Sequence, residues 1–311
     1  MRERIRKAGV IGMIIGYVVL SAATIAVLIP LVWMVASSFK TGDEIFSPPA
    51  SAALARERDP ESEGALERLG NDVKFPFLLL RDLIVPESPT FENYRRLFTD
   101  LPFGQFFLNS LFISTASTLL TLFFCSLGGY AHAKFAFKGK GPLFAIVLGS
   151  MMIPFHLLLV PLFSLMNSLN WFDTFRAIIV PFSASAFGIF LLRQYTRSVP
   201  DQLIDAARID GCSEFGIYWR IILPLVKPAL GTLTIFTFMA SWNNFLWPLI
   251  VLHSDEKYTL PLGLANLVGV YSQEYGMLMA GTLLSTLPII VLFLAMQRAF
   301  VSGITLGAVK E

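Results

Sequence analysis

The chain is poor in charge and in cysteine, and each shortage excludes a class of protein. Only 15% of its 311 residues are charged, whereas a soluble domain carries about a quarter. The net charge of +2 is too small to indicate a nucleic-acid partner. Its two cysteines, Cys125 and Cys212, are too few and too far apart for a disulfide framework or a metal site. We expect both to serve as small apolar side chains.

Long stretches without any charge are the strongest feature of the sequence. A helix needs about 20 apolar residues to cross the hydrocarbon core of a bilayer. Six windows lack Asp, Glu, Lys and Arg: Lys7 to Lys40, Asp100 to Lys134, Lys140 to Asp173, Arg176 to Arg193, Lys227 to Asp255, and Glu274 to Arg298. The fourth is short, but the Arg176 side chain can extend to the interface.

These windows predict an all-α, polytopic membrane protein with six transmembrane helices. We place the spans near 10–37, 106–132, 142–166, 174–193, 229–251 and 276–297. The first apolar run is too long for a signal peptide, so we expect it to be an uncleaved span. Prolines are expected to bend several spans, because proline frees backbone groups that neighbouring helices can satisfy: Pro30, Pro154, Pro161, Pro181, Pro248 and Pro288.

Basic residues predict the orientation, because they concentrate on the cytoplasmic side. Fourteen lie in the terminal segments and in the loops after spans two and four, whereas the two short opposite loops hold only Arg176 and Lys257. Both termini are therefore expected in the cytoplasm. The chain then divides into a cytoplasmic N-terminus with the first span (1–40), an external loop (41–105), a five-span core (106–300) and a cytoplasmic tail (301–311).

The external loop contains an insert, Ser51–Val85, which joins a polar, acidic-leaning stretch to an apolar patch. We expect some helix in it. Contact with an external partner is one interpretation, and a solvated surface elaboration is the other.

The segment between spans four and five, residues 198–228, has the pattern of two short helices. Asp201 suits the first turn of a helix, and Gly211 can end that helix. Ser213 suits the N-cap of a second helix, which would end near Pro224. Helical spacing places four residues on one face of the first helix: Leu203, Ala206, Ala207 and Asp210. We predict a cytoplasmic helix-turn-helix whose two alanines allow close seating in a groove. An amphipathic surface loop would share the spacing alone.

This segment resembles the coupling-loop signature of ABC importer permeases, which is Glu-Ala-Ala, two residues, Asp-Gly, nine residues, Ile, one residue, Leu-Pro. The chain has Asp in place of the Glu, which keeps the charge but shortens the side chain by one methylene. The matching positions are Asp205, Ala206, Ala207, Asp210, Gly211, Ile221, Leu223 and Pro224.

Other stretches resemble the carbohydrate-uptake branch of these permeases, the maltose-permease-type second inner-membrane subunit. They are residues 88–94 before span two, residues 241–248 in span five, and the tail residues Gln297, Arg298, Gly303 and 307–310. The resemblance covers nearly the whole chain except the insert.

The resemblance implies a subunit of an ATP-driven importer in a bacterial inner membrane, which translocates a sugar by alternating access. Its implied partners are a second homologous permease, two cytoplasmic ABC ATPases, an extracytoplasmic solute-binding protein, the sugar and the lipid bilayer. The positions from Asp205 to Gly211 would dock the ATPase, and the tail from Gly303 would lie near it. The chain lacks the G-x-x-x-x-G-K-[ST] loop. We therefore expect no enzymatic activity and no cofactor here, with ATP and Mg bound by the partner.

Polar residues within a span are costly, so they are candidates for a substrate path. Asn243 and Asn244 lie beside Trp242 and Trp247 in span five. Amides and aromatic faces suit a sugar, but bonding between helices would explain the amides equally. Weaker candidates are Asn109, Asn167 and Ser285. The three histidines are expected to be structural or without a special role: His132, His156 and His253.

Three alternatives remain. An ion-coupled secondary transporter would place acidic groups or cation-binding backbone near the midplane, but the predicted span interiors hold no charged residue. A membrane enzyme would need a nucleophile–base pair or a metal-ligand cluster, and the sequence indicates neither. Similar permeases also serve polyols and glycerol phosphate, so a non-sugar solute stays open.

Overall fold

Helices form most of the computed structural model, which describes residues 2–46, 84–268 and 274–305. For residues 2–11, 43, 46 and 298–305 it describes the backbone alone. The all-α polytopic fold predicted from the charge-free windows is confirmed. The insert up to residue 83 and the tail residues 307–310 lie outside the described residues.

We number the α-helices in chain order. They are α1 (Arg2–Ser38), α2 (Gly42–Phe46), α3 (Glu92–Thr99), α4 (Phe103–Lys134), α5 (Lys140–Ser150), α6 (Phe155–Ser168), α7 (Arg176–Ile179), α8 (Ala186–Arg197), α9 (Asp201–Ile209), α10 (Glu214–Ile217), α11 (Leu223–Leu225), α12 (Lys227–Trp242), α13 (Leu246–Val251), α14 (Leu260–Ala265) and α15 (Tyr275–Thr305). Short 3₁₀ turns cover Val180–Phe182 and Asp255–Lys257, and a π-helical turn covers Tyr218–Ile222.

One compact unit comprises Met1–Leu101 and Asn266–Leu284. Asn93 on α3 connects its parts, because its amide donates to the carbonyls of Ser38 at 2.9 Å and Lys40 at 2.7 Å. Gly276 on α15 leaves room for this amide, since a Cβ there would lie 2.5 Å from the Asn93 side-chain oxygen. The end of α1 and the start of α3 are therefore fastened by a buried side chain rather than by a sheet or a disulfide.

The second unit comprises Pro102–Ala265 and Ser285–Glu311, and α4 is its central helix. It packs closely against α8 because small residues lie at the contact. A Cβ on Gly129 would lie 2.9 Å from Leu192 Cβ, and a Cβ on Gly188 would lie 2.7 Å from Cys125 Sγ. Close approach through small residues is how membrane helices gain packing contacts. Cys125 is free and buried, but it is not purely apolar as predicted, because its Sγ accepts from the N–H of Ser185 at 3.3 Å.

Three described helical stretches are long and apolar enough to cross a membrane: Gly12–Ser38, Phe103–Lys134 and Tyr275–Gln297. They match predicted spans one, two and six. Up to six spans result if each bent pair of helices counts as one. Helices α5 and α6 bend by 103°, Arg176–Phe182 and α8 by 40°, and Glu214–Leu225 and α12 by 79°.

The spans predicted over 142–166, 174–193 and 229–251 are each bent or interrupted, as the prolines in them predicted, and the missing proline N–H accounts for two of the breaks. Pro154 has no N–H to donate to the carbonyl of Ser150, and α5 ends at Ser150. Likewise Pro248 cannot donate to the carbonyl of Asn244, and the chain leaves the helix over residues 243–245. Pro30, Pro161 and Pro288 instead lie inside continuous helices.

Candidate functional site

The 198–228 segment turns sharply at Gly211, as the sequence predicted. Gly211 has φ of +81°. Its N–H donates to the carbonyl of Arg208 at 3.0 Å, and the N–H of Cys212 donates to the carbonyl of Ala207 at 2.9 Å. This pair of bonds is the Schellman ending of a helix, which satisfies carbonyls that the helix leaves free. The hydroxyl of Ser213 then accepts from the N–H of Gly216 at 3.2 Å, so the predicted N-cap of α10 is also confirmed.

Helix α9 has a buried side and an exposed side. The residues that were predicted to share one face of this helix are divided between the two sides. Ile204 and Ala207 are buried in an apolar cluster with α4, α8 and α12. Leu203, Ala206 and Asp210 are exposed. The prediction that both alanines share one surface is therefore corrected, because successive residues on a helix point about 100° apart and the cluster covers only one of them.

The exposed side of the 198–228 segment is more apolar than a solvent-exposed surface usually is. Ile209 is 86% exposed, Phe215 60% and Trp219 58%. Among the remaining positions matched to the signature, Asp205 and Pro224 are exposed, whereas Ile221 and Leu223 are half-buried against the apolar cluster. Large exposed apolar side chains that lie together mark an interaction surface.

Ion pairs and hydrogen bonds fasten the segment to α4. The Lys134 ammonium donates to the Asp201 carboxylate at 2.6 Å and to the Val199 carbonyl at 2.5 Å. The hydrogen bond from Lys134 lowers the pKa of Asp201. The Tyr130 hydroxyl donates to Glu214 at 3.0 Å, and Arg208 donates to the other oxygen of Glu214 at 2.7 Å. Arg208 also donates to Asp205 at 3.2 Å, so the exposed face is held in a fixed orientation on α4.

A second candidate site is a cavity of about 410 Å³ in the same unit, bounded by α4, α8, α12 and residues 178–182. Half of its twelve lining side chains are polar, and none can carry a charge. The polar ones are Ser117, Thr121, Ser185, Thr237, Ser241 and Asn244. Three phenylalanines are among the apolar ones.

The four predicted substrate-path residues lie in different surroundings. Asn244 lines the cavity, and its side-chain oxygen accepts from the N–H of Trp247 at a long 3.5 Å. Asn243 is exposed and does not line the cavity. Trp242 and Trp247 are buried, and their indole N–H groups donate to the carbonyls of Ser285 at 3.1 Å and Ala177 at 2.9 Å. The two tryptophans thus connect helices, and neither contributes to the cavity wall.

The weaker candidates also lie away from the cavity. Asn109 donates to the carbonyls of Glu256 at 2.8 Å and Tyr258 at 3.0 Å, while Asn167 is exposed. His132 is buried, His156 is exposed, and exposed His253 stacks on Phe172.

Five hydroxyl groups of the cavity were not among the residues predicted from the sequence. Ser117 and Thr121 lie at i and i+4 on α4, while Thr237, Ser241 and Asn244 lie at i, i+4 and i+7 along α12 and its end. This spacing of polar residues within apolar helices was the available signal, because it places them on one face.

Comparison with known proteins identifies the class. Residues 125–306 match the family described as the binding-protein-dependent transport system inner membrane component. The chain belongs to this family of ABC transporter permeases.

Individual relatives agree with this assignment. The arabinooligosaccharides transport system permease protein AraQ of Bacillus subtilis is 45% identical over 228 residues, which cover 73% of this chain and 81% of AraQ. The lactose transport system permease protein LacG of Rhizobium radiobacter is 35% identical over 297 residues, 96% of each chain. A chain of the crystal structure of a bacterial ABC transporter that imports the acidic polysaccharide alginate has the same fold, with a TM-score of 0.75 at 23% identity, over 93% of this chain and 96% of that one.

Proposed function

We propose that this chain is the permease subunit through which an ATP-driven importer moves a sugar across the bacterial inner membrane. The observation that carries the proposal is the 198–228 segment. It displays the signature positions Asp205, Ala206 and Gly211 at an exposed turn that is fastened to a membrane helix. Relatives that are named for arabinooligosaccharide and lactose transport support a sugar as the solute.

The segment serves as the docking site for a cytoplasmic ATPase, which binds ATP and Mg in place of this chain. Exposed Leu203, Ala206 and Ile209 on α9, with Phe215 and Trp219 after the turn, supply an apolar surface for a protein groove. Clustered apolar and aromatic side chains dominate the energy of such interfaces. Lys134 and Tyr130 hold the segment on α4. Movement of the ATPase groove that is docked on the segment would therefore be transmitted to a membrane helix.

Transport then proceeds by alternating access, with a second homologous permease and an extracytoplasmic binding protein completing the assembly. Both termini and the 198–228 segment lie in the cytoplasm. An uncharged solute fits the absence of Asp, Glu, Lys and Arg from the predicted span interiors. The same absence argues against an ion-coupled mechanism, which needs charged groups or cation-binding backbone near the midplane.

The docking role is tested with two matched substitutions of exposed alanines. Ala206 lies in the docking surface, whereas Ala136 lies in the turn after α4 on the same predicted side of the membrane. Ala206→Asp places an unpaired charge in the interface, so we expect it to abolish co-purification of the ATPase and ATP-driven sugar uptake in proteoliposomes. Ala136→Asp should leave both unchanged. Normal ATPase binding and uptake by the Ala206→Asp complex would refute the docking role.

Uptake assays also separate the candidate solutes. Proteoliposomes that contain the full complex should accumulate arabinotriose or lactose only when ATP is present. Accumulation of glycerol phosphate or a polyol, with no uptake of neutral sugars, would replace the sugar in this proposal by one of those solutes. Uptake driven by an ion gradient without the ATPase would overturn the proposal as a whole.

A further inference from the structure

Several hydrogen-bonding groups that line the cavity bounded by α4, α8 and α12 are not used within the described part of the chain. Two of its hydroxyls are engaged: Thr121 donates to the carbonyl of Phe182 at 3.1 Å, and Ser185 accepts from the N–H of Gly188 at 2.9 Å. In contrast, the hydroxyls of Ser117, Thr237 and Ser241 form no hydrogen bond within the described part of the chain. The same holds there for the Asn244 amide nitrogen. Three hydroxyls and one amide therefore have donors or acceptors available to an occupant.

The occupant that fits these groups is polar but uncharged. None of the lining side chains is ionisable, so a carboxylate or ammonium group would enter without a counter-charge, at a high desolvation cost. An acyl chain would leave the free hydroxyls and the amide unpaired, which is also unfavourable. Phe182, Phe187 and Phe236 supply apolar surface beside the polar groups. The volume of about 410 Å³ lies within the range of small-molecule sites, roughly 300–1,000 Å³.

We propose that this cavity is a binding subsite of this subunit for one uncharged sugar ring of the transported glycan. Ser117, on α4, and Thr237, Ser241 and Asn244, along α12 and its end, bind the ring hydroxyls, and the phenylalanines contact its C–H face. The subsite rests on the proposed function and adds to it a solute class: neutral glycans are accepted, and uronic-acid chains are not.

Uptake by the assembled complex provides the first test. Thr237 lines the cavity, whereas Thr234 lies on the same helix, outside it, with its hydroxyl bonded to the carbonyl of Leu230 at 2.8 Å. Thr237→Val keeps the shape and removes the hydroxyl. We expect it to slow uptake of arabinotriose or lactose by about two- to tenfold at saturating binding protein, as the loss of one hydrogen bond predicts. Thr234→Val is the control and should transport at the wild-type rate.

Chemical labelling provides a test of occupancy that is independent of rate. In a Cys212→Ser background, Thr237→Cys and Thr234→Cys are reacted with a small methanethiosulfonate reagent in the solubilised complex; Cys125 is buried. We expect arabinotriose or lactose to protect the cysteine at position 237 and to leave that at position 234 unaffected. An oligogalacturonate of the same length should protect neither.

The outcomes separate the subsite from the function on which it rests. If the wild-type complex takes up no neutral sugar, the sugar is wrong as the solute of the proposed function, and the subsite is overturned with it. If the wild type transports but Thr237→Val matches Thr234→Val, and the sugar gives no protection at position 237, only the subsite is overturned. A lipid that co-purifies with the wild-type complex and is lost on Ala240→Trp would assign the cavity to an acyl chain and also overturn it.

Discussion

Gly211 shows what one residue contributes to the surface of the 198–228 segment. Its φ is +81°, a value that glycine adopts readily but that strains the backbone of other residues. No atom outside the turn lies within 4 Å of a Cβ placed there, so the requirement comes from the backbone and not from crowding. The glycine is needed because it reverses the chain between α9 and α10 and so sets the angle at which Ile209 and Phe215 are displayed.

We predict that Gly211→Val uncouples ATP hydrolysis from transport while the chain still inserts. The strain of about 1 kcal/mol would favour a different turn and misalign the two helices. The measurement is sugar-stimulated ATPase activity of the assembled complex.

Gly139 offers a matched control for this prediction. It has φ of +80°, a Cβ placed on it would also have no neighbour within 4 Å, and it lies outside the segment. Gly139→Val should therefore cause a similar strain without affecting sugar-stimulated ATPase activity. Equal effects of both substitutions would show that strain alone, and not the geometry of the turn at Gly211, is responsible.

At the scale of elements, the contact between α4 and α8 depends on Gly188. A Cβ there would lie 2.7 Å from Cys125 Sγ and 2.8 Å from Ser185 Oγ. We predict that Gly188→Ala forces the two helices apart and destabilises the chain by about 1–3 kcal/mol, as overpacking of a core does. The measurement is the melting temperature in detergent. Cys125→Ala should partly restore stability in the double variant, and Gly149→Ala, where no atom lies within 4 Å, should be neutral. A neutral Gly188→Ala would contradict this account.

Two connections of the second unit are joined by the Asp173 carboxylate. It accepts from the N–H groups of His253 and Ser254, each at 3.0 Å, from the Ser254 hydroxyl at 2.5 Å, and from Lys257 at 2.7 Å. Burial by itself would raise the pKa of Asp173, but these hydrogen bonds outweigh it and hold the pKa well below its usual value. The carboxylate form is therefore bound more tightly in the folded chain than in the unfolded one.

This shift predicts a pH-dependent stability. Because the folded-state pKa is depressed, the stabilisation is present above the unfolded-state pKa of about 4 and is lost as the pH falls below it. We predict that Asp173→Asn lowers the melting temperature near neutral pH and that the difference from wild type shrinks below about pH 4. Glu256→Gln, at an exposed position in the same turn, is the control and should have no such effect. A constant difference across this pH range would exclude the linkage.

At the scale of the whole molecule, the break between α12 and α13 gives two adjacent asparagines different surroundings. Asn244 lines the cavity, whereas Asn243 is exposed outside it. We predict that Asn244→Leu lowers sugar uptake by the assembled complex several-fold, because it removes an amide from the proposed subsite. Asn243→Leu should leave uptake near the wild-type rate. Assembly and basal ATPase activity are measured alongside, and equal uptake defects at both positions would contradict the assignment.

Sequence alone was sufficient for the fold class, because charge-free windows and helix-ending residues act locally. The windows around α1, α4 and α15 each predicted a long apolar helix, and Gly211 and Ser213 predicted the end of α9 and the start of α10. Helix ends depend on backbone conformation, and membrane spans depend on the free energy of transferring a segment into lipid. Both are determined by a residue and its near neighbours in the sequence.

Which prolines break a helix was decided by the tertiary structure. Pro154 and Pro248 lie at breaks while Pro30 and Pro288 do not, although all four lack the same N–H. The missing donor is a local property, but the partner that satisfies the freed carbonyl comes from whatever packs around the helix.

Only the tertiary structure decided which side of each helix is covered and which residues meet. Periodicity places residues around a helix but does not say which neighbour packs there. Ala207 is buried in an apolar cluster that includes residues of α4, α8 and α12. The cavity is lined by residues such as Ser117 and Thr237, which lie on helices far apart in the sequence and meet only in the fold.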